Sequence, residues 1–168
     1  NPHDDISLLR IINTPTRGIG NTSQEKLLAA AREAGRSIAW VIDQLEADTR
    51  LVNLGKASRT RILAFRDLLT NLRERMSTES LTEVLEGILV ESGYSERLRA
   101  EGTHEAETRA ENLEELVGAA QEAETSAVYP DTVTATEAFL ERAALVTAMD
   151  ENDDGRGAVS LMTLHNSK

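Results

Sequence analysis

Hydrophobic residues recur at helical spacing along most of this chain, and short polar breaks separate the apolar runs. The first run, Ile6 to Ile12, predicts a short helix that stops before a proline, because the residue before proline is pushed out of the helical region. Later helices begin at Ser or Thr residues with N-cap spacing and end at glycines. The predicted stops and caps are Pro15 after the first helix, Thr22 and Gly35 around the second, Ser37 before the third, and Ser80, Gly93 and Thr134 farther on.

Two long helices are predicted in the middle of the chain. Residues 57–76 place Ile62, Phe65, Leu69 and Leu72 on one stripe, which predicts an amphipathic helix. Residues 106–123 continue as helix, and we expect three apolar side chains there to face inward: Leu113, Leu116 and Val117. A loop is expected over residues 125–134, followed by a last helix to about residue 149 and an acidic linker over residues 150–157.

The last residues have a different pattern. Residues 159–164 form a compact apolar run between Gly157 and His165, which is typical of a buried strand. A strand cannot satisfy its backbone hydrogen bonds alone, and everything before it indicates helix. The sequence therefore predicts a strand whose partners lie elsewhere.

Composition fits a globular protein, with 40% hydrophobic and 28% charged residues. No apolar stretch approaches the length of a membrane span, and the absence of cysteine excludes a disulfide framework and a thiolate metal site. The net charge of −11 is unevenly distributed: residues 1–75 carry +3 and residues 76–168 carry −14. This asymmetry indicates either that the first half meets an anion or that the surface is simply solvated unevenly.

Several candidate sites fail on inspection. Asp150 opens a segment with the first six positions of a calcium loop, but Leu161 stands where the bidentate Glu belongs. Gly55 opens a stretch similar to a phosphate loop, yet Ala57 occupies the position of the magnesium-binding Ser or Thr. The three histidines share no ligand spacing, and Trp40 is expected to pack in the core. No catalytic constellation remains, so an independent enzyme is poorly supported.

The informative segment lies between the first two predicted helices. Gly18 and Gly20 flank Ile19 just before a helix start, and Arg17 precedes them as a mobile charge. Glycine permits a turn with positive φ and leaves room for a ligand, while a helix N-terminus attracts an anion. Helix-hairpin-helix proteins hold a DNA phosphate in this way, without reading base sequence. A plain turn between two helices is the alternative on this segment alone.

Three segments together resemble one family. Residues 13–20 (Asn-Thr-Pro-Thr-Arg-Gly-Ile-Gly) are similar to the Gly-Ile-Gly segment of the UvrD/PcrA/Rep superfamily 1 DNA helicases. Residues 109–116 resemble the Arg-x-Glu-Asn-Leu-x-Glu-Leu segment of those enzymes, and residues 159–168 resemble the start of their motif V. The order and spacing of the three segments also fit, so the resemblance covers nearly the whole chain.

The resemblance implies a fold and a domain division. Residues 1–156 would be the helical 2B insertion subdomain, a mainly α, multi-helix orthogonal bundle with helix-hairpin-helix-like turns. Residues 157–168 would be the re-entry strand and the start of motif V, paired in a RecA-like sheet that lies outside this chain. Because the chain begins at Asn1 without an initiator Met, we expect a piece of a longer protein.

The resemblance also implies a function: an accessory, duplex-DNA-binding and regulatory subdomain of an ATP-dependent 3′–5′ DNA helicase in repair or replication restart. The phosphate-binding residues would be Arg17, Gly18, Ile19, Gly20 and Thr22, with a weaker second contact at Lys56 and Arg59, and single-strand contacts at Thr163 and His165. ATP and Mg²⁺ would be held by parts of the parent helicase outside this chain, and no metal is expected within it.

The expected partners are duplex or forked DNA, the remaining helicase domains and a regulatory protein, with no membrane. The expected location is the bacterial cytoplasm, at the nucleoid. The alternative function is a helical protein-interaction or autoinhibitory module whose DNA contact is incidental. Salt-dependent binding to forked DNA that is lost when Arg17 is changed distinguishes the two.

Overall fold

The computed structural model describes residues 3–126 and 129–151, with side chains described as far as residue 144. Helices make up most of these residues and no strand occurs among them, which confirms the predicted mainly α class. The predicted strand and most of the acidic linker lie outside the described residues. In chain order the helices are α1 (Asp5–Ile11), α2 (Asn21–Ala34), α3 (Ile38–Gln44), α4 (Lys56–Arg75), α5 (Leu81–Glu91), α6 (Tyr94–Glu101), α7 (His104–Ser126) and α8 (Thr132–Glu151).

Most of the predicted helix ends are correct because local hydrogen bonds decide them. Ser37 accepts from the Trp40 N–H at the start of α3, and Ser80 forms a full capping box with Glu83 at the start of α5. Gly35 ends α2 in the left-handed conformation, with φ of 62°.

Two predicted caps are wrong. Helix α2 begins after Gly20 without a side-chain cap, so Thr22 is its second residue and not its cap. Helix α8 begins after Asp131, whose carboxylate accepts from the Thr134 N–H at 2.7 Å. Thr134 therefore lies inside the helix, and the loop before it is shorter than expected.

The first hydrophobic core lies among α1 to α4. Helix α3 supplies Ile38, Val41 and Ile42 at helical spacing, and α4 supplies Ile62 and Phe65. Helix α3 packs on α1, α2 and α4, so it forms the centre of this half. The loops between the helices also contribute buried side chains: Ile12, Ile19, Leu45 and Val52. We call residues 5–75 the basic module.

The second core lies among α5, α7 and α8 and is smaller. Leu81, Ala120 and Ala135 form its centre, with Leu85 and Phe139 packed against them. The Glu124 carboxylate on α7 accepts from the Leu81 N–H at 2.6 Å and from the Thr82 N–H at 3.3 Å. A side chain from α7 thereby satisfies the first free N–H groups of α5. We call residues 76–144 the acidic module.

Two expectations about apolar side chains are corrected by the structure. Trp40 does not pack in the core: 37% of it is exposed, and the Arg36 guanidinium lies 5.9 Å from its ring centroid. Leu116 is also exposed, whereas Leu113 and Val117 are half-buried. The buried residues of α7 are all small: Ala106, Ala120 and Ala123.

Candidate nucleic-acid interface

Residues 12–20 connect α1 to α2, and we call them the Gly-Ile-Gly hairpin. The Asn13 side chain organises this hairpin, because its Oδ1 accepts from the Arg17 N–H at 2.9 Å and from the Ile19 N–H at 3.1 Å. Gln24 on α2 donates its side-chain amide to the Ile19 carbonyl at 3.0 Å. Ile19 itself is fully buried. The hairpin is therefore anchored at its centre, and its backbone conformation is set by side chains from both flanking segments.

The two glycines of the hairpin have different roles. Gly18 has φ of +71°, a conformation that side chains rarely adopt, so glycine is required there by the backbone. Gly20 has φ of −73° and ψ of 171°, which any residue adopts. A Cβ at Gly20 would meet no atom within 4 Å among the described residues. The backbone and packing of the fold would therefore accept a side chain at position 20. Because the residue is glycine, the space at the start of α2 stays open.

The N-terminus of α2 presents unused hydrogen-bond donors at this open space. Ser23 and Gln24 both donate their N–H groups to the Gly20 carbonyl, at 2.9 and 3.2 Å. The N–H groups of Asn21 and Thr22 belong to the first turn of α2 and have no backbone acceptor within the described residues. Both residues are exposed. With the helix dipole behind them, these two N–H groups are suited to an anion.

Arg17 is not the mobile charge that the sequence predicts. Its Nη1 donates to the carbonyls of Ile11, Thr14 and Pro15 at 2.8 to 3.2 Å, and its Nη2 donates to the Ser92 carbonyl at 3.1 Å. The guanidinium also lies 5.4 Å from the centroid of the Phe65 ring. Burial lowers the pKa of Arg17 from its usual value. Arg17 therefore holds the hairpin together, and its donors point at protein carbonyls.

Arg61 on α4 is an exposed cation that contacts the hairpin beside Gly18, and the sequence patterns do not identify it. Its Nη1 donates to the Gly18 carbonyl at 3.2 Å, and the residue is exposed. A Cβ at Gly18 would lie only 3.0 to 3.2 Å from the Arg61 guanidinium, so the glycine also makes this close approach available. Because 43 residues separate Arg61 from Gly18, no local pattern in the sequence could have identified the pair.

Residues 45–55 connect α3 to α4 and form a second hairpin. Gly55 is the N-cap of α4 with φ of −65°, has no side-chain cap, and is as open as Gly20. Arg59 is turned inward: it donates to the carbonyls of Leu45, Thr49 and Val52 at 2.6 to 3.2 Å. The guanidinium of Arg59, which the sequence suggests as part of a second phosphate contact, holds its own loop. Lys56 is exposed at the first position of the helix.

The remaining predictions from the sequence concern the single-strand contacts, metal sites and membrane spans. Thr163 and His165 lie outside the described residues, as does most of the segment similar to a calcium loop. In the part of the chain that the structure describes, no group of acidic or histidine side chains has the arrangement of a metal site. None of the described helices is long and apolar enough to cross a membrane.

Comparison with known proteins extends over the whole chain. Residues 1–168 match the UvrD-like helicase C-terminal domain. The chain is 34% identical over 174 residues to the ATP-dependent DNA helicase PcrA of Bacillus subtilis (strain 168), and 31% identical over 170 residues to PcrA of Leuconostoc citreum. It is 36% identical over 168 residues to PcrA of Staphylococcus aureus (strain Mu50 / ATCC 700699). Each alignment covers 100% of this chain and 22% of the relative.

Proposed function

Since the chain belongs to the UvrD-like helicase C-terminal domain family, we propose that it is the accessory, duplex-DNA-binding and regulatory subdomain of an ATP-dependent 3′–5′ DNA helicase. Residues 1–156 would form the 2B insertion, and residues 157–168 would lead into the second RecA-like domain. The observation that carries the proposal is the open N-terminus of α2 behind Gly20, with the exposed Arg61 beside it.

The hairpin would bind a backbone phosphate of the duplex. The N–H groups of Asn21 and Thr22 would donate to the phosphate oxygens, and Gly20 would let the backbone approach closely. Arg61, already at the Gly18 carbonyl, would supply the positive charge that the sequence analysis assigned to Arg17. Ile19 would contribute only as an anchor, because its side chain is buried and its N–H is bonded to Asn13. Phosphate contacts carry no base information, so this binding would be independent of sequence.

Two further contacts belong to the same proposal. At the second hairpin, Lys56 would offer its amine beside the N-terminus of α4, while Arg59 keeps that loop in shape. Thr163 and His165 would contact the single strand within motif V. The parent would act in DNA repair or replication restart in the bacterial cytoplasm. ATP and Mg²⁺ would bind motifs of the parent outside this chain, so we expect the 168-residue chain to hydrolyse no ATP in a DNA-stimulated phosphate-release assay.

Salt titration of forked-duplex binding tests the proposal with a matched pair of variants. Arg61→Met should weaken binding equally for different sequences and flatten the slope of log affinity against log salt by about one unit. Arg73→Met is the control, because it removes the same charge from an exposed position on α4, about 18 Å along the helix axis. Arg73→Met should change neither quantity. Equal effects of the two variants would show a general charge effect and contradict a phosphate contact at the hairpin.

One observation favours the alternative function, a protein-interaction or autoinhibitory module. A cleft of about 370 Å³ between α5, α6 and α7 is lined largely by apolar side chains, including Leu89, Leu113 and Val117. Val90 at its edge is 71% exposed. Exposed apolar surface of this kind often marks a protein contact. If the chain bound forked DNA without any salt dependence, or not at all, this alternative would replace the DNA-binding proposal.

A further inference from the structure

The Gly-Ile-Gly hairpin is joined to the acidic module as well as to its own helices. Residues 15–17, directly before Gly18, lie beside two parts of the acidic module. One is the α5–α6 turn, which consists of Ser92 and Gly93, and the other is the first turn of α6. A polar cleft of about 240 Å³ lies at this boundary, lined by residues of the hairpin and of α6 and α7. We propose that the α5–α6 turn and Arg97 of α6 position the hairpin for the duplex, which rests on the proposed function.

Two hydrogen bonds cross this boundary in opposite directions, each from an arginine donor. Arg97 Nη1 donates to the Thr16 hydroxyl at 2.7 Å, and Arg17 Nη2 donates to the Ser92 carbonyl at 3.1 Å. They join residues 81 and 75 positions apart in the chain. Each arginine is also held on its own side: Arg97 Nε donates to Glu101 at 3.2 Å, and Arg17 Nη1 donates to hairpin carbonyls. Each guanidinium group is therefore held by its own module as well as by its hydrogen bond to the other module.

The backbone of the α5–α6 turn has a left-handed glycine beside the hairpin. Gly93 has φ of +78° and serves as the N-cap of α6. A Cβ added at Gly93 would lie 4.0 Å from Pro15 Cγ, at ordinary van der Waals distance, so the turn and the hairpin are neighbours there. Ser92 and Gly93 connect α5 to α6, and Gly93 is also the N-cap of α6. The direction of α6, and with it the position of Arg97, therefore depends on this turn. The acidic module thus determines where Arg97 meets the hairpin.

The two cores do not supply this connection. One core includes Ile12 and Ile19 of the hairpin, and the other is built on Leu81, Ala120 and Ala135. No residue of one core cluster belongs to the other among the described side chains. The polar contacts at Thr16 and Arg17 therefore orient the hairpin relative to the acidic module. A hairpin that samples other orientations binds with an affinity reduced by the fraction of time it spends in the competent one.

Two variants of Thr16 test the positioning role. Thr16→Val removes the hydroxyl acceptor at nearly constant volume, and Thr16→Ser keeps it. Thr16→Val should weaken forked-duplex binding about threefold to tenfold, as expected for one lost hydrogen bond, without changing the salt slope. Thr16→Ser should bind as the original chain does. A flattened slope with Thr16→Val would instead mark Thr16 as a part of the phosphate contact and overturn the positioning role.

Arg97 supplies the partner variant and a matched control. Arg97→Met should weaken binding as Thr16→Val does, and the double variant should be no weaker than either single, because the two remove one interaction. Arg99→Met removes the same charge two residues along α6 and should leave affinity unchanged. Helical circular dichroism of each variant verifies that the chain is folded. Additive effects of Thr16→Val and Arg97→Met would overturn the inference.

Failure of this inference and failure of the proposed function are distinguishable. If the original chain does not bind forked duplex in a salt-dependent manner, the proposed function fails and the positioning role fails with it. If the original chain binds and Arg61→Met flattens the slope, but Thr16→Val binds normally, only the positioning role is overturned.

Discussion

Replacing Gly20 by aspartate should separate the stability of α2 from its proposed contact with DNA. Gly20 is the N-cap of α2, its backbone is extended, and a Cβ there meets nothing within 4 Å. An aspartate fits this conformation and is among the best N-cap residues. Its carboxylate would accept from the free N–H groups at the start of α2, which the phosphate would otherwise use. The substitution should therefore stabilise the fold and weaken DNA binding.

The two effects have estimable sizes. Replacing an N-cap glycine by aspartate gains a few tenths of a kcal/mol, and a negative charge at a helix N-terminus adds about 0.3–1 kcal/mol. We expect a net stabilisation of about 0.5–1 kcal/mol. A carboxylate about 4 Å from a phosphate costs about 1 kcal/mol at the dielectric constant of water and about 4 kcal/mol at an effective value of 20. Duplex affinity should accordingly fall at least about fivefold.

The measurement combines urea unfolding with forked-duplex binding at two salt concentrations. Fluorescence of Trp40, the single tryptophan, reports on the basic module in which α2 lies. Gly20→Asn supplies the N-cap oxygen without the charge. Its affinity for DNA should therefore lie between that of the original chain and that of Gly20→Asp. Gly55→Asp places the same change at the second hairpin, whose N-cap is equally open. It should stabilise α4 similarly and weaken binding less.

Two outcomes would refute this reasoning. If Gly20→Asp stabilises the chain and binds forked DNA with undiminished affinity, the N-terminus of α2 does not contact phosphate. If Gly20→Asp destabilises the chain, the space beside Gly20 is not open in solution, and the structural basis of the site is wrong.

Further predictions concern residues that hold the hairpins and helix ends. Gly18→Ala should cost about 1–2 kcal/mol in urea unfolding, because its φ of +71° is left-handed and the Arg61 guanidinium lies at the new Cβ; unchanged stability would contradict this. Arg59→Met should destabilise the basic module by about 1–3 kcal/mol, since three carbonyls lose their donor, and leave the salt slope of DNA binding unchanged. The pKa of Glu83 lies below its ordinary value, mainly because its carboxylate accepts from the Ser80 backbone N–H, and the pKa of Asp131 is lowered by the Thr134 N–H. These two carboxylates therefore stabilise the folded state above the ordinary carboxyl pKa, and this stabilisation is lost as the pH falls through their lowered pKa values in the folded chain. In an acid titration of the free energy of unfolding, Glu83→Gln should lose less stability than the original chain.

The sequence predicts those features of the fold that depend on neighbours in the chain. Ser37 and Ser80 cap their helices as predicted, because an N-cap bond needs only the next three residues. Thr22 has the same local pattern and is not a cap. The reason is tertiary: Asn13 and buried Ile19 hold the hairpin so that the helix begins directly after Gly20. Trp40 shows the same limit, since its position on an apolar stripe did not determine its burial.

The Gly-Ile-Gly segment stays a predicted site, and the structure adds where the arginine side chains beside it lie. Two glycines before a helix start indicate residues 13–20, and Gly20 is an N-cap without a side-chain hydrogen bond. Whether an arginine faces solvent or its own loop depends on which carbonyls the fold leaves without donors. Arg17 and Arg59 each donate to several carbonyls and are partly buried. Arg61 donates to one carbonyl and remains exposed. None of these three outcomes is encoded in the spacing of the arginines.

The separate cores of the two modules have a consequence for the cooperativity of unfolding. Each module buries its own apolar cluster, and polar contacts such as those of Arg17 and Arg97 connect them beside the α4–α5 junction. Apolar burial is the main source of cooperativity, so one module can open while the other stays folded. Trp40 reports the basic module alone, whereas helical circular dichroism reports both. A midpoint for Trp40 above that for helical circular dichroism would mean that the Gly-Ile-Gly hairpin persists after the acidic module has melted, and that a single melting temperature does not describe this chain.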